Sequence, residues 1–318
     1  MSSQFKTIAV VGAGALGLYY GGRLARVGSA GRVAFLARGD GEVLRRNGVT
    51  VKAPDGGFTV GADKVKIAAT PEEIGPVDLV IVTLKATAND QLARMLPPLM
   101  HEGTVVLNLQ NGLGVDEQVA AVAGAERTAG GLCFVCVNRI APGVAECTMA
   151  GHVVVGAYDP HSLALVATAE RLRALAEMFN AAGVKMSVSE SLLEVRWRKL
   201  VWNVPFNGLA VTGGGITTDV ILKSAEMEAE VWALMREVQA TAAAYGVMIP
   251  EDYVVDQVER TRPMGPYKPS TMIDFVDGKP LEVEPIWGEP LRRARAKGVS
   301  TPRLEALYAR LRELSAGG

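Results

Sequence analysis

Cysteine and histidine are scarce in this chain, which has three residues of each among 318. An odd number of cysteines without the spacing of a small secreted domain argues against a disulfide framework and favours a reducing cytoplasm. Cys133 and Cys136 lie in an apolar, strand-like run, where side chains three apart face opposite sides, so we expect packed thiols there. His101, His152 and His161 are scattered, so neither a metal site nor a histidine general base is predicted.

The chain also lacks a dominant charge and a long apolar run. Its 33 Lys and Arg residues nearly balance 34 Asp and Glu residues, giving a formal net charge of −1 and no overall field for nucleic acid or anionic lipid. The longest apolar stretches are too short and too often interrupted to cross a bilayer. We therefore expect a cytoplasmic protein whose partner is a small molecule, and neither a nucleic acid nor a membrane.

A glycine-rich turn near the N-terminus is the most informative motif. The apolar run 6–11 predicts a strand, Gly12-Ala13-Gly14-Ala15-Leu16-Gly17 follows it, and a helical pattern begins there. Gly12 permits a tight turn, Gly14 lets phosphates approach the backbone, and Gly17 lets the helix pack closely on the strand. Because N–H groups at a helix start hold phosphates, residues 12–17 are predicted to bind a dinucleotide. A purely structural glycine turn is the alternative.

Strand and helix patterns alternate through the first half of the chain. Apolar, β-branched strand candidates lie at 33–37, 65–69, 79–84, 105–109, 132–137, 153–156 and 184–188, and a helix is predicted at 163–182. The runs 79–84 and 105–109 are apolar nearly throughout, as expected for parallel strands that are covered on both faces. The predicted class is α/β, with an N-terminal Rossmann-type, doubly wound sheet.

Beyond about Ser189 the strand signal ends, and helical patterns remain at 191–211, 225–245, 283–297 and 302–315. Gly246 and Gly298 stand where helix C-caps belong, and the proline-rich segment Arg262–Ser270 is predicted to be a loop able to close over a site. We therefore predict two domains, a dinucleotide-binding domain at 1–189 and an all-α, C-terminal domain at 190–318.

The residue at the end of the second strand indicates which coenzyme to expect. In NAD enzymes an acidic residue roughly twenty positions past the glycine turn accepts hydrogen bonds from the ribose hydroxyls. Arg38 stands at that place here, and a planar guanidinium suits a 2′-phosphate. The sequence favours NADP(H), the alternative being that Arg38 is a surface residue and Asp40 binds the ribose.

Two further strands also end in polar residues, Lys85 after 79–84 and Asn111 after 105–109. Ligands of open α/β sheets bind at the carboxyl ends of the strands, so Arg38, Lys85 and Asn111 are predicted to share one crevice. Each taken alone is also an ordinary loop residue.

A polar stripe marks one predicted helix of the second half. Lys199, Asn203 and Asn207 are spaced four apart on one face, between large apolar residues. Asparagine is a poor helix former, so its use here indicates hydrogen bonding, to a ligand or to the other domain. Pro205 is expected to bend this helix and to free the carbonyl of Val201.

Taken together, these motifs resemble the ketopantoate reductase family. The matching segments span nearly the whole chain: the glycine turn, Lys85-Ala86, Asn111-Gly112-Leu113-Gly114, Trp197-Arg198-Lys199-Leu200 with both later asparagines, Ser270-Thr271-Met272 and Glu282. The resemblance implies a Rossmann domain joined to a helical domain, NADPH as the reductant, and reduction of ketopantoate to pantoate in pantothenate synthesis. It also implies a monomer or a homodimer.

The resemblance further implies roles in the second domain. Lys199 corresponds to the catalytic lysine, and Asn203 and Asn207 to asparagines that position the substrate. Ser270 corresponds to the serine that binds the substrate, with Thr271 the alternative one position later.

It also implies that Lys85 and Asn111 lie beside the nicotinamide, with Asn111 near the substrate as well, and that Glu282 acts in catalysis by holding Lys199 or by binding the substrate hydroxyl. During hydride transfer the carbonyl oxygen gains negative charge. A lysine, with an ordinary pKa of about 10.4, is protonated at neutral pH, so Lys199 could polarise the carbonyl and then donate its proton.

This chain departs from the family pattern at three places. It has Ala88 where members commonly carry a glutamine or an acid, Gly208 where many carry a proline, and the run Gly213-Gly214-Gly215 in place of an asparagine-containing loop. The departures leave another branched or bulky 2-keto acid open as the substrate. A silent NADP(H) sensor is a further alternative, although it would have no need of the polar stripe and Glu282.

Overall fold

The computed structural model describes residues 4–28, 32–159, 161 and 166–316. The chain divides into two compact units. The first comprises residues up to Asn111 and Val115–Leu192, and the second comprises Gly112–Gly114 and residues from Leu193 onward. The predicted division at 189/190 lies three residues from the point where the chain changes unit. Within the described ranges, no helix combines the length and the apolar character that a membrane span requires.

One mixed sheet organises the first unit. Its strands are β1 (Thr7–Val11), β2 (Arg32–Leu36), β3 (Val49–Lys52), β4 (Phe58–Val60), β5 (Val65–Ala68), β6 (Leu79–Val82), β7 (Val105–Asn108), β8 (Thr128–Ala141), β9 (Val144–Ala157) and β10 (Met186–Val188). The spatial order is β4-β3-β9-β8-β7-β6-β1-β2-β5, with β10 paired to β9. Within it, the parallel series β5-β2-β1-β6-β7-β8 has the strand order of a Rossmann sheet, as predicted.

The strands predicted at 132–137 and 153–156 are parts of a much longer element. β8 and β9 each have 14 residues and pair antiparallel with each other, so an expected pair of short strands is a long hairpin. Its far end also pairs with β3, which together with β4 extends the sheet beyond the Rossmann core. β3 and β4 were not predicted from the sequence, because they are only four and three residues long.

Helices cover the sheet and form the second unit. They are α1 (Ala15–Arg26), α2 (Gly41–Asn47), α3 (Pro71–Ile74), α4 (Leu92–Met95), α5 (Val115–Ala123), α6 (Ala169–Ala181), α7 (Leu192–Thr212), α8 (Thr218–Lys223), α9 (Ala225–Ala243), α10 (Glu251–Glu259), α11 (Ser270–Val276), α12 (Glu289–Ala296) and α13 (Pro302–Ala316). No strand follows Val188 in the described chain, as expected for an all-α unit. The helix predicted at 163–182 begins at Ala169 instead, and positions 163–165 lie outside the described residues.

The burial of α1 holds the glycine turn in place. Leu18, Tyr19, Tyr20 and Leu24 are at most 1% exposed and belong to the core of the first unit. Burying a large apolar side chain contributes about 1.5–3 kcal/mol, so these residues hold the start of α1 firmly against the end of β1. Burial also raises the pKa of the Tyr20 hydroxyl, which keeps it neutral.

The cysteines belong to the long hairpin. Cys133 and Cys147 are buried, Cys136 is half-buried, and none of the three forms a disulfide. Burial raises the pKa of the Cys147 thiol, so this side chain is neutral at neutral pH. Among the residues that the structure describes, no cluster of three or more His, Cys, Asp or Glu side chains could hold a metal ion.

The core of the second unit surrounds α7. The helix continues as one element through Pro205, and the Trp287 indole donates a hydrogen bond to the carbonyl of Val204 at 2.9 Å. The helix predicted at 283–297 contains a π-helical turn, Glu284–Gly288, before α12. Trp287 lies in that turn and is fully buried, so its hydrogen bond joins the turn to the middle of α7.

Candidate active site

Two glycines of the N-terminal turn have a steric role. Gly12 has φ +108°, and a Cβ there would lie 2.9 Å from the backbone nitrogen of Leu84. A Cβ on Gly17 would lie 2.0 Å from the carbonyl oxygen of Gly12, which also accepts a hydrogen bond from the Thr83 hydroxyl at 2.7 Å. The close approach of β1, α1 and the end of β6 therefore requires glycine at both positions.

Gly14 is different, because no protein atom lies within 4 Å of the place where its Cβ would stand. It is the N-cap of α1, and no side chain caps that helix. The N–H groups of the first helical turn have no partner within a helix, and Gly14 lines an open cleft. A bare helix start beside an open space is what a pyrophosphate needs, so these residues fit a dinucleotide.

The cleft lies where the strand order reverses, between the ends of β1 and β6. Its volume is about 340 Å³, within the range of ligand sites. Of the predicted coenzyme residues, Gly12, Ala13, Gly14, Arg38 and Lys85 line it. Ala15, Leu16 and Gly17 form the first turn of α1 and are not part of its lining.

Arg38 is oriented by a residue that the sequence analysis did not select. Its guanidinium donates to the side-chain oxygen of Gln91 at 2.5 Å, and both residues line the cleft. Ala88, one of the departures from the family pattern, lines the same cleft one turn before Gln91. Gln91 therefore supplies an amide to the cleft, three positions after the place where the family commonly carries a glutamine or an acid.

An ion pair also lines the cleft. Asp40, two positions after Arg38, forms an ion pair with Arg139 near the far end of β8. Asp40 is the residue predicted as the alternative ribose ligand, whereas Arg139 was not predicted from the sequence. The two residues are 99 positions apart, so no local sequence signal could have paired them.

Asn111 follows β7 and is half-buried, but it is not part of the cleft lining. Its neighbour Gln110 is buried, and the Gln110 amide donates to the carbonyl of Leu84 at 3.0 Å and to the side-chain oxygen of Asn89 at 2.5 Å. Gln110 therefore connects the end of β7 to the segment that follows β6, at Leu84 directly before Lys85 and at Asn89 after it. Sequence reasoning missed this role because an isolated glutamine has no distinctive spacing.

In the second unit, the predicted polar stripe lies on α7. Lys199 is half-buried, whereas Asn203 and Asn207 are 4% and 1% exposed. The side-chain oxygen of Asn207 accepts a hydrogen bond from the backbone N–H of Thr271 at 3.0 Å. This N–H lies in the first turn of α11 and has no partner within that helix, so Asn207 anchors the start of α11.

The same anchoring distinguishes Ser270 from Thr271. Thr271 is 3% exposed, while Ser270 is exposed at the first position of α11. The segment before it, predicted as an irregular loop, contains one 3₁₀ turn, Arg262–Met264. This segment is held to α8, since Thr218 donates from its backbone to the carbonyl of Tyr267 at 3.1 Å and from its hydroxyl to that of Gly265 at 3.2 Å.

Glu282 is half-buried and lies two residues before the π-helical turn. The backbone N–H of Leu113 donates to the carbonyl of Pro285 in that turn at 2.8 Å. Gly112, with φ +94°, approaches Pro285 so closely that a Cβ would lie 2.5 Å from its carbonyl oxygen. The tripeptide after Asn111 is therefore built into the second unit beside the segment that carries Glu282.

The remaining departures from the family pattern have structural explanations. A Cβ on Gly208 would lie 2.6 Å from Leu307 Cδ2 and 3.0 Å from Trp287 Nε1, so α7, α13 and the π-helical turn pack over a bare backbone. The glycine run ends α7, because the N–H groups of Gly214 and Gly215 donate to the carbonyls of Val211 and Ala210. Both departures belong to the packing of the second unit.

Comparison with known proteins gives consistent matches over both units. A family model described as ketopantoate reductase PanE/ApbA matches residues 8–160, and one described as ketopantoate reductase PanE/ApbA C terminal matches residues 191–315. The 2-dehydropantoate 2-reductase of Nostoc sp. is 37% identical over 306 residues, covering 96% of this chain and 94% of that protein.

Solved structures agree. A 2-dehydropantoate 2-reductase from Geobacter metallireducens has a TM-score of 0.91 at 43% identity, covering 96% of this chain and 99% of that one. One from Methylococcus capsulatus has a TM-score of 0.88 at 32% identity, covering 98% and 97%. The cleft at the switch point and these matches define the class of protein, an oxidoreductase that works with a nicotinamide dinucleotide. Within that class, the chain belongs to the ketopantoate reductase family.

Proposed function

We propose that this chain reduces 2-dehydropantoate (ketopantoate) to pantoate with NADPH, a step of pantothenate biosynthesis. The observation that carries the proposal is a dinucleotide cleft lined by Arg38 and Lys85 in a chain that belongs to the ketopantoate reductase family. A guanidinium at the end of β2 suits the 2′-phosphate that distinguishes NADPH from NADH. The family membership favours an enzyme over the alternative of a silent sensor.

In the first unit, residues of the cleft would hold the coenzyme. The N–H groups of Ala15, Leu16 and Gly17 would hold the pyrophosphate, with Gly12, Ala13 and Gly14 leaving room for it. Arg38 would bind the 2′-phosphate. Lys85 and Asn111, which end neighbouring strands, are proposed to lie toward the nicotinamide, which supplies a hydride when it is bound.

In the second unit, Lys199 is proposed to act on the substrate carbonyl. As the carbonyl carbon of the 2-keto acid gains a hydride, its oxygen becomes negative and takes a proton from the Lys199 ammonium. Asn203 would orient the substrate, and Ser270, which is exposed where Thr271 is buried, is the better placed hydroxyl to bind it. Glu282 would hold the lysine or the substrate hydroxyl.

Asn207 is proposed to position the substrate as well and has a further role, because its side-chain oxygen accepts the Thr271 N–H. It would act on the substrate by holding Ser270 in position. We propose that the domain at 1–189 binds the coenzyme and the domain at 190–318 binds the substrate, because the residues proposed for these two roles lie in those ranges. A homodimer and a cytoplasmic location stay predictions.

The test is the oxidation of NADPH, followed by absorbance, with ketopantoate and with a panel of 2-keto acids that differ in branching and size. The proposal expects the highest kcat/KM for ketopantoate, and NADPH to be used at lower concentration than NADH. A higher kcat/KM for another branched or bulky 2-keto acid would establish the alternative substrate. Absence of turnover with every keto acid, despite tight NADPH binding, would support a sensor.

A further inference from the structure

The β8–β9 hairpin brings an arginine to the coenzyme cleft from outside the Rossmann core. Arg139 lies two residues before the end of β8, opposite Ala145 of β9, and its side chain lines the cleft. Its partner Asp40 directly precedes α2 and lies two residues after Arg38, in the loop that follows β2. The Asp40 side chain is only 17% exposed and pairs with Arg139, whose own side chain is 46% exposed.

An acidic group at this place has two effects on a dinucleotide. Past the second strand of a Rossmann sheet, a carboxylate accepts hydrogen bonds from the ribose hydroxyls of NAD. The same carboxylate repels a 2′-phosphate, which carries a charge of roughly −1.5 to −2 at neutral pH. Asp40 without a partner would therefore favour NADH and oppose NADPH.

The charges along the cleft are unequal. Its lining contains three cationic side chains, Arg38, Lys85 and Arg139, and one carboxylate, that of Asp40. The ion pair assigns one cation to that carboxylate, while the Arg38 guanidinium is held by the neutral amide of Gln91. Arg38 thus keeps its full charge for an anion, and Asp40 has a partner other than the ribose.

We propose that Arg139 is a coenzyme-specificity residue, which acts by neutralising Asp40 so that the Arg38 end of the cleft accepts the 2′-phosphate of NADPH. It is a positioning residue that acts through Asp40. The inference rests on the proposed function for the identity of the coenzyme, and it adds a residue that the family motifs in this sequence do not include.

The test measures coenzyme binding without substrate. Dissociation constants for NADPH and NADH are obtained by fluorescence titration for the wild type, Arg139→Met, Asp40→Asn and the double variant. Because the unpaired Asp40 carboxylate would then repel the 2′-phosphate, with solvent screening part of the repulsion, Arg139→Met is expected to weaken NADPH binding by about tenfold or more. NADH binding should stay the same or become tighter.

The double variant identifies the route of the effect. If Arg139 acts by neutralising Asp40, removing both charges restores the NADPH dissociation constant to within about threefold of the wild type, which is near the limit of additivity for such measurements. Asp40→Asn alone should bind NADPH at least as tightly as the wild type. Arg173→Met on the exposed face of α6 removes the same charge away from the cleft and serves as the control.

Each contrary result has a separate meaning. An unchanged ratio of the two dissociation constants in Arg139→Met overturns the inference. A double variant as weak as Arg139→Met overturns it too, because Arg139 would then contact the phosphate itself. Tighter NADH than NADPH binding by the wild type would instead defeat the proposed coenzyme, and hence the proposed function, before any variant is compared.

Discussion

The side-chain oxygen of Asn207, in the C-terminal half of α7, accepts a hydrogen bond from the backbone N–H of Thr271 at 3.0 Å. The two residues are 64 positions apart and both are buried. The bond satisfies an N–H group that α11 leaves without a helical partner. It also fixes the position of Ser270, the residue directly before Thr271.

Replacing Asn207 should therefore affect stability as well as substrate binding. We expect Asn207→Ala to lower the free energy of unfolding by about 1–2 kcal/mol, since it leaves the Thr271 N–H buried without an acceptor. Asn207→Asp keeps an acceptor and should lose less stability, but its negative charge should raise the KM for an anionic keto acid. Urea denaturation and steady-state kinetics measure the two effects. Wild-type stability in Asn207→Ala would contradict the anchoring role.

Lys199 is the residue on which the proposed chemistry depends most. Lys199→Ala should lower kcat by about 10²- to 10⁴-fold, the usual contribution of general acid catalysis, while the dissociation constant for NADPH stays within error. The matched control is Lys223→Ala, because Lys223 is an exposed lysine of α8 paired with Asp219. A kcat near that of the wild type in Lys199→Ala would remove Lys199 from catalysis.

The glycine turn allows stability to be separated from coenzyme binding. Gly17→Ala should destabilise the fold, since its Cβ would lie 2.0 Å from the carbonyl oxygen of Gly12. Gly14→Ala should leave the melting temperature nearly unchanged, because its Cβ would meet no protein atom within 4 Å, but should weaken NADPH binding by occupying the open cleft. Thermal unfolding and fluorescence titration distinguish the two. Tight NADPH binding by Gly14→Ala would argue that phosphates do not approach there.

The Arg23–Asp55 ion pair should make stability depend on pH in the acid range. The buried Arg23 guanidinium makes two hydrogen bonds to the Asp55 carboxylate, at 2.8 and 2.6 Å, and holds the pKa of that carboxyl below its ordinary value. A carboxyl whose pKa is lowered by folding contributes stability above its unfolded pKa of about 3.9, and this contribution is lost as the pH falls through the lowered value.

We therefore expect Asp55→Asn to be less stable than the wild type at pH 7, and the difference to shrink below about pH 4. Half of the Asp55 side chain is exposed, so solvent screening limits the difference to about 1 kcal/mol. Urea midpoints between neutral and acid pH measure it. Asp256→Asn is the control, because Asp256 and Arg260 are both exposed and 3.7 Å apart. Parallel pH profiles for the wild type and Asp55→Asn would contradict the assignment.

Features that depend on neighbouring residues could be predicted from the amino-acid sequence alone. The dinucleotide turn is complete within Gly12–Gly17, and its role follows from six consecutive residues between an apolar strand and a helix. The long helices of the second unit could be predicted to within a few residues at most ends, because a 3.6-residue period repeats along each of them. The polar stripe of α7 follows from the same period.

Contacts between side chains that are distant in sequence could not be predicted in this way and are seen only in the folded chain. The pairs Asp40–Arg139 and Asn207–Thr271 join residues 99 and 64 positions apart, and neither has a local signature. The extent of the β8–β9 hairpin was likewise hidden, since its distal half is only partly buried and lacks the continuous apolar run of a central strand. Hydrophobic periodicity and turn residues predict the local backbone conformation, whereas a hydrogen bond between distant residues depends on how whole helices and strands pack. The coenzyme class could therefore be inferred from sequence, while the contacts that orient its ligands emerged only from the folded chain.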